Sequence, residues 1–416
     1  MNNNLFDTYL ESMNFLNEIS IKHQSAISFG SGRPREEFFN VEEVVLGVKE
    51  FVRNNKPQNM DLNDYFNYLG QYNLTKGIIN EAIAKLLYND EQIIVNPEDI
   101  IITDGAQEAM AIVINTLFSS QKDVLLVSEP SYIGFIGYAK IAGITVCTVK
   151  RSRQSMDIDD LETTITGLIK QGKRPKVIYE VPDFHNPTGG YMPLNERIRM
   201  IELAQKYDFY IVEDNPYGYY IYDTGKIPTL KALDKYKRVI HIGSFSKTIF
   251  PSMRLGYLVA DGKIKRGNSS YRLSEECKKV KSFITVNTST LLQAMAGAVI
   301  QKENYSLKAF CKPKVENCKR NRDAMVKALD CCMGSRQKWE KPSGGFFMVV
   351  DVPFRLTDNM ILECVEKLSV IFCPMYMFCI DKNKGQNQMR LAFCNLTVKQ
   401  IEDGIERLSE FIRSKS

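Results

Sequence analysis

Short apolar runs rich in valine and isoleucine alternate with segments of helical length between about residues 98 and 300 of this chain. The runs predict strands at residues 100–103, 124–127, 144–147, 176–181, 209–212, 239–242 and 255–260. The segments between them, such as 106–118, 159–170 and 193–207, predict helices. Nearly continuous apolar strands separated by helices are typical of a parallel sheet covered on both faces. The sequence therefore predicts an α/β fold with a mostly parallel central sheet.

The C-terminal part has a different pattern. Helices predicted at 307–329, 357–368 and 397–413 surround short strands near 345–350 and 389–393. This order predicts a smaller α+β domain. Residues up to about 55 lack a core of their own, and we expect them to pack on this smaller domain. A length of 416 residues is enough for two domains. We therefore expect a large domain at 56–306 and a small domain formed by 1–55 and 307–416.

Composition and charge exclude several classes of protein. The contents of 44% hydrophobic and 25% charged residues are ordinary for a soluble globular chain. The net charge of +5 comes from 54 basic and 49 acidic residues without a long basic run, which argues against nucleic-acid binding. The N-terminus lacks the pattern of a signal peptide, and the apolar stretch 291–300 is too short to cross a bilayer. We expect a cytoplasmic protein with no membrane partner.

The cysteines and histidines indicate neither a metal site nor a redox site. None of the ten cysteines forms a Cys-x-x-Cys pair, and the chain has only three histidines. The sequence predicts no metal, and we interpret the cysteines as reduced packing residues.

Lys247 stands in a run of residues that suits an aldehyde and a phosphate together. Ser244 and Ser246 precede it and Arg254 follows it, directly after the predicted strand 239–242. A lysine amine can form a Schiff base with an aldehyde, and hydroxyls with a guanidinium bind a phosphate dianion. Pyridoxal 5′-phosphate carries both groups. The run alone leaves open that Lys247 is a solvated lysine in a serine-rich loop.

Two other predicted strands end in residues that could hold the same cofactor, because ligands gather at the carboxyl ends of strands in open α/β sheets. Gly105, Ala106 and Gln107 open a helix after strand 100–103, where backbone N–H groups could bind the phosphate. Tyr132 follows strand 124–127 and could stack on the pyridine ring. An ordinary turn and an ordinary packing tyrosine are the alternatives.

Polar residues after the predicted strands 176–181 and 209–212 complete the pattern. Asn186 lies before a proline and could donate to the ring hydroxyl. Asp214 could keep the pyridine nitrogen protonated, so that the ring accepts electrons, and Tyr217 could bind the ring oxygen O3′. A helix-capping aspartate is the alternative for Asp214. Together the strand ends predict a site for pyridoxal phosphate with Lys247, Asp214 and Tyr217 as catalytic residues.

The chain resembles the class I/II aminotransferases of fold type I, in the branch similar to the aminoadipate/kynurenine aminotransferases. The resemblance covers the chain from about residue 27 to the C-terminal helix. It is carried by DGAQ at 104–107, PSY at 130–132, NPTG at 186–189, DNPY at 214–217, SFSK at 244–247, RLG at 254–256 and RLA at 390–392.

The resemblance implies a role for each of these positions. Lys247 would carry the internal aldimine and move the proton between Cα and C4′. The phosphate would be held by Ser244, Ser246, Arg254, Ala106 and Gln107. Arg390 would bind the substrate α-carboxylate with Asn186, and Gly32 would lie over the substrate. Tyr72 would reach the phosphate of a neighbouring subunit, which implies a homodimer with shared active sites.

The resemblance implies transfer of an amino group from an amino acid to a 2-oxo acid, with pyridoxamine phosphate formed between the two half-reactions. Elimination or substitution, cyclisation, decarboxylation and oxidation use the same residues and stay open as alternatives. A cofactor-sensing regulator is a weaker alternative, because residues 1–26 are too few for a DNA-binding domain. Side-chain specificity is open: Arg33 could meet a distal carboxylate or serve only as a loop arginine.

Overall fold

The structure is a computed structural model of the chain, and it describes residues 15, 18–19, 21–334 and 337–415. Its strands are β1 Ile27–Ser28, β2 Ile100–Thr103, β3 Asp123–Glu129, β4 Thr145–Lys150, β5 Arg174–Glu180, β6 Tyr210–Asp214, β7 Val239–Ser244, β8 Gly256–Val259, β9 Lys263–Arg266, β10 Ser269–Arg272, β11 Lys338–Trp339, β12 Phe347–Asp351, β13 Val370–Ile371, β14 Cys373–Pro374 and β15 Gln388–Ala392. Its helices are α1 Val41–Asn55, α2 Leu62–Leu69, α3 Asn80–Glu91, α4 Gly105–Leu117, α5 Ile133–Ile141, α6 Ile158–Lys170, α7 Leu194–Tyr207, α8 Leu230–Leu233, α9 Leu273–Ile284, α10 Thr290–Lys302, α11 Lys308–Cys332, α12 Asp358–Leu368 and α13 Val398–Lys415.

The central sheet of the described chain has seven strands in the order β2-β8-β7-β6-β5-β3-β4. Strands β4, β3, β5, β6 and β7 run parallel, and β8 is antiparallel to both β7 and β2. Residues of β2, β3 and β6 are buried throughout, which explains their continuous apolar character. The predicted α/β fold with a mostly parallel sheet is confirmed.

A smaller antiparallel sheet follows in the order β11-β12-β15-β14. Helices α11 and α13 pack on each other beside it, and the short strand β1 pairs in parallel with β13. Residues 27–28 therefore pair with a strand more than 300 residues further along the chain. The C-terminal region for which the sequence predicts an α+β pattern thus contains an antiparallel sheet with helices beside it.

Helix α1 departs from the expectation that residues up to 55 pack on the small domain. Its apolar face, with Val44, Val48 and Phe51, belongs to a core shared with α3 and α10. Phe51 lies directly over Gly297 of α10, where a Cβ atom would collide with its ring. A residue without a side chain on α10 therefore lets α1 approach closely. This helix packs on the predicted large domain, while the boundary positions themselves stay predictions.

Parallel strands place their carboxyl ends along one edge of the central sheet. The chain leaves β2 into α4, β3 into α5, β5 into the 181–193 loop, and β6 and β7 into further loops at that edge. Within the described residues, no helix is both long and apolar enough to cross a lipid bilayer.

Candidate active site

A cleft of about 840 Å³ opens at this edge, between the central sheet and the small antiparallel sheet. Most of the predicted site residues line it: Gly32, Ala106, Gln107, Tyr132, Asn186, Asp214, Tyr217, Ser244, Ser246, Lys247, Arg254 and Arg390. Gly105 lies directly behind Arg254. Tyr72 does not line the cleft, and its side chain is 80% exposed. The structure therefore brings the predicted residues together, with Tyr72 as the exception within one chain.

Lys247 lies just beyond the carboxyl end of β7, and its amine points across the cleft. The Nζ atom donates a hydrogen bond to the carbonyl of Gly32 at 3.0 Å. The carbonyl of Lys247 accepts a hydrogen bond from the Tyr220 hydroxyl at 2.6 Å, which holds the loop in place. Desolvation lowers the pKa of Lys247, with nearby arginines acting in the same direction. A lowered pKa increases the neutral fraction of the amine, which is its nucleophilic form.

Asp214 ends β6 with its carboxylate at the floor of the cleft. Its Oδ2 atom accepts a hydrogen bond from the Tyr179 hydroxyl at 2.7 Å, and its Oδ1 atom has no partner among the described residues. Burial raises the pKa of Asp214 to about 6. A buried carboxylate oxygen without a partner is costly. Asp214 is therefore suited to a cationic or N–H donor that enters the cleft.

The start of α4 and the guanidinium of Arg254 form one end of the cleft. Gly105 has a φ of +77°, and a Cβ atom there would lie 2.6 Å from Nη2 of Arg254, so the approach requires glycine. The Ser244 hydroxyl accepts the backbone N–H of Ser246 at 3.2 Å. Among the described residues, no carboxylate pairs with Arg254. This end combines N–H groups, hydroxyls and a guanidinium, as a phosphate requires.

A buried ion pair supports the first turn of α4 from behind. The Nζ atom of Lys281 donates to both oxygens of Glu108 at 2.9 Å, and Glu108 accepts the backbone N–H of Asp104 at 2.6 Å. Lys281 also donates to the hydroxyl of Thr288 at 3.0 Å. Because Asp104 precedes Gly105, this network holds the backbone that leads into the phosphate end of the cleft.

Arg390 lies on β15 with its guanidinium between two phenyl rings. The guanidinium carbon is 4.4 Å from the ring centre of Phe347 and 4.6 Å from that of Phe378. Nη1 donates to Oδ1 of Asn186 at 2.9 Å, and Nη2 donates to the carbonyl of Gly30. The Nε atom is buried and has no partner among the described residues. The arginine is thus held in one orientation with a free donor, as binding of a carboxylate requires.

The Gly30–Arg33 segment covers the cleft from the side of the small antiparallel sheet. A Cβ atom on Gly32 would lie 2.7 Å from Cζ of Phe347, so the ring occupies the space of a side chain. Arg33 lines the same cleft, and no described residue forms an ion pair with it.

Phe347 and Phe378, which line the cleft, and Tyr179, which lies beneath it, were not singled out from the sequence. Tyr179 lies in an otherwise apolar strand, next to the strand that ends in Asp214. Its hydroxyl was the one feature of the sequence that could have indicated a polar contact there. Phe347 and Phe378 sit in apolar runs that look like ordinary core. Their role depends on which atoms the fold places beside Arg390.

The donor set fits pyridoxal phosphate, which has a pyridine nitrogen, a phosphate and an aldehyde. The free Oδ1 of Asp214 suits the nitrogen, and the Gly105–Arg254 end suits the phosphate. The amine of Lys247 lies in the same cleft and suits the aldehyde. No group of three or more histidine, cysteine, aspartate or glutamate residues suited to a metal ion occurs in the described part of the chain.

Comparisons with known proteins agree with this chemistry. Residues 25–408 match the family described as aminotransferase class I and II. The chain is 35% identical to the (S)-3,5-dihydroxyphenylglycine transaminase of Amycolatopsis orientalis, over 100% of this chain and 94% of that protein. It is 31% identical to aromatic-amino-acid aminotransferase 1 of Thermococcus litoralis, over 95% and 90% of the two chains.

A solved structure extends the likeness to the fold. The kynurenine aminotransferase of Pyrococcus horikoshii, in complex with PMP, superposes with a TM-score of 0.84 and 28% identity, over 96% of this chain and 94% of that chain. This neighbour agrees with the branch indicated by the sequence motifs. The protein belongs to the class I and II aminotransferases, and it is a pyridoxal phosphate-dependent enzyme of fold type I that transfers an amino group between an amino acid and a 2-oxo acid.

Proposed function

We propose that this aminotransferase takes an aromatic amino acid as its amino donor. The observation that carries the proposal is the apolar wall beside Arg390, where Ile133, Phe347, Met377 and Phe378 line the cleft. An aromatic side chain would bury its ring against this wall, while its α-carboxylate reaches the guanidinium. The three relatives described above are named for dihydroxyphenylglycine, aromatic amino acids and kynurenine, which all carry an aromatic ring.

Lys247 is proposed as the residue that moves protons during the reaction. When bound, pyridoxal phosphate supplies an aldehyde that takes up the amino group and a ring that accepts the electron pair left at Cα. Lys247 would hold the aldehyde carbon before the substrate enters. Once released, its neutral amine would remove the proton from Cα and deliver one to C4′. The lowered pKa of Lys247 favours this neutral form.

The remaining cofactor contacts are proposed from the positions of the charges in the cleft. Asp214 would hold the protonated ring nitrogen through its free Oδ1. Arg254 would hold the phosphate at the end of the cleft where α4 begins, with the hydroxyls of Ser244 and Ser246. Tyr132 would stack on the ring. A negative charge at the floor of the cleft and a positive charge at one end would orient the cofactor in one direction only.

Further contacts at the phosphate and at the ring oxygen follow from the same placement. Ala106 and Gln107 would offer backbone N–H groups at the start of α4, where the helix dipole also favours an anion. Tyr217 would bind the ring oxygen O3′, and burial raises the pKa of its hydroxyl, so that it stays a neutral donor. Asn186 already accepts a hydrogen bond from Arg390 and would use its amide hydrogens towards the same oxygen.

We also propose a homodimer in which Tyr72 completes the site of the partner subunit. Tyr72 is 80% exposed and lies outside its own cleft. Other apolar side chains on the described surface are exposed as well, including Phe283 at 94% and Val286 at 47%. Burial of such side chains favours association. The cytoplasmic location expected from the sequence stays a prediction.

The donor class is tested by following the visible absorption of the purified holoenzyme as single amino acids are added without oxygen. Phenylalanine and tyrosine should remove the absorption of the aldehyde form at lower concentrations than valine or aspartate. Addition of 2-oxoglutarate should then restore it. A preference for aspartate would overturn the aromatic donor and would point to Arg33 as the side-chain partner.

A further inference from the structure

Tyr179 and Asp214 join two neighbouring strands of the central sheet beneath the cleft. Tyr179 lies on β5 and pairs in register with Val212 of β6, two residues before Asp214. The Tyr179 side chain is fully buried, and its hydroxyl donates to Oδ2 of Asp214 at 2.7 Å. This bond leaves Oδ1 as the only oxygen of Asp214 that is free to accept from the cleft.

The Tyr179 ring has little freedom to move the hydroxyl elsewhere. Phe135 of α5 packs edge-on against it, with ring centres 4.8 Å apart. Burial raises the pKa of Tyr179, and the neighbouring Asp214 charge adds to this rise. The hydroxyl therefore stays protonated and remains a donor at neutral pH.

Other titratable groups near Asp214 do not replace this donor. His241 of β7 pairs in register with Glu213, and its Nδ1 atom is 2.9 Å from Oε2 of that residue. Successive side chains of a strand point to opposite faces of the sheet, so His241 lies on the Glu213 face and not on the Asp214 face. Glu213 itself disfavours charge on Asp214, while His241 favours it more weakly than Tyr179 does. Tyr132 and Tyr217 also face the carboxylate, without a hydrogen bond to it. Tyr179 is thus the one described side chain that donates a hydrogen bond to Asp214.

We propose that Tyr179 is a positioning residue that keeps Asp214 ionised and aims its free oxygen at the ring nitrogen of the cofactor. The inference rests on the role proposed for Asp214. A hydrogen bond to the ionised carboxylate lowers its affinity for a proton. The proton of the pair then stays on the ring nitrogen, where it makes the ring a better electron acceptor. Without the hydroxyl, the strongest interaction that opposes the effect of burial on Asp214 is lost, and the proton shifts towards the carboxylate.

The test compares wild type with Tyr179→Phe, which removes the hydroxyl and keeps the ring that packs on Phe135. Each protein is loaded with pyridoxal phosphate labelled with 15N in the ring, and the chemical shift of that nitrogen is measured across pH. We expect the Tyr179→Phe nitrogen to move towards the unprotonated value at neutral pH. We also expect kcat to fall about tenfold with little change in KM, because Tyr179 does not touch the substrate.

Tyr210→Phe is the matched control. The hydroxyl of Tyr210 on β6 also donates one internal hydrogen bond, to the carbonyl of Lys263, and this bond lies far from Asp214. This variant should leave the nitrogen shift unchanged. A wild-type shift in folded Tyr179→Phe would overturn the proposal and leave Tyr179 as a packing residue. Asp214→Asn distinguishes a failure of the Tyr179 proposal from a failure of the proposed role of Asp214. If the ring nitrogen stays protonated in Asp214→Asn, the proposed role of Asp214 is wrong.

A second variant keeps the proposal testable if Tyr179→Phe does not fold. In this variant, 3-fluorotyrosine replaces Tyr179 and no other tyrosine. The phenol of 3-fluorotyrosine is more acidic and therefore a stronger hydrogen-bond donor. The ring nitrogen should then keep its proton to a higher pH than in wild type. An unchanged titration in this variant would contradict the proposed role.

Discussion

The amine of Lys247 donates a hydrogen bond to the backbone carbonyl of Gly32 at 3.0 Å, across a separation of 215 residues in sequence. This bond links the loop after β7 of the central sheet to the segment that enters from the small antiparallel sheet. The same segment is pressed against Phe347, which also stacks on Arg390. The position of Gly32 therefore bears on both the lysine and the proposed carboxylate site.

Replacing Gly32 by alanine should damage substrate binding. The new Cβ atom would lie 2.7 Å from Cζ of Phe347, so the segment or the ring must move. We expect a loss of about 10- to 100-fold in kcat/KM for the amino donor, because small displacements at a reacting centre are costly. Steady-state kinetics would measure it. Gly30→Ala is the control, since its Cβ would meet Ile371 and Ser28 only at 3.6 Å and should leave kcat/KM nearly unchanged.

Arg390→Lys should reduce kcat/KM for all amino acids by about 100-fold, since an ammonium cannot make two parallel bonds to a carboxylate. It would also lose the stacking between Phe347 and Phe378. The measurement compares phenylalanine with phenethylamine, which lacks the carboxylate. The variant should lose activity with the amino acid and not with the amine. An equal loss with both compounds would speak against carboxylate binding by Arg390.

Asp214→Asn should make the cofactor-free protein more stable at neutral pH. Burial raises the pKa of Asp214 from 3.8 to about 6, and the corresponding contribution to stability is present below pH 4 and lost as the pH rises through about 6. At about 1.4 kcal/mol per pKa unit, the ionised form costs the fold about 3 kcal/mol above that pH. Urea unfolding should show a gain for Asp214→Asn at pH 8 that shrinks towards pH 5. A gain independent of pH would contradict this explanation.

Mixing two inactive variants should restore activity if active sites are shared between subunits. Lys247→Ala removes the lysine from its own site, and Tyr72→Ala would remove the tyrosine from the partner's site. A mixed dimer then contains one intact site, so random exchange should recover about a quarter of the wild-type activity. Refolded mixtures are assayed against each variant alone. Activity that stays at the level of the separate variants would place Tyr72 outside the partner's site.

Breaking the buried pair behind α4 should destabilise the protein strongly. Lys281→Met would leave Glu108 charged and buried without its cation, at a cost of about 3–5 kcal/mol in the free energy of unfolding. The more exposed pair of Lys278 with Glu275 provides the control, and Lys278→Met should cost less than about 1 kcal/mol. Urea unfolding of the cofactor-free forms compares the two. Similar losses would show that burial is not what makes the Lys281–Glu108 pair important.

The strands and helices of the central sheet were predictable from the sequence because burial on both faces leaves a continuous apolar signal. All seven predicted strands overlap strands of the sheet, and the predicted helices at 106–118, 159–170 and 193–207 correspond to α4, α6 and α7. The packing of α1 was not predictable in this way. The apolar face of α1 shows that the helix must pack against another part of the chain, but the sequence does not identify that part. Only the structure shows that Phe51 lies over Gly297 of α10.

Chain order alone placed Ala106, Tyr132, Asn186, Asp214 and Lys247 in one site, because parallel strands bring their carboxyl ends to one edge of a sheet. The sequence thus determined which chemical groups meet. The tertiary structure decided the hydrogen bonding and orientation of the charged groups. Tyr179 donates a hydrogen bond to Asp214, and Phe347 stacks on Arg390, although the residues of each pair are far apart in sequence. Such contacts depend on distances of a few ångströms between strands, and periodicity and motif spacing carry no information about them.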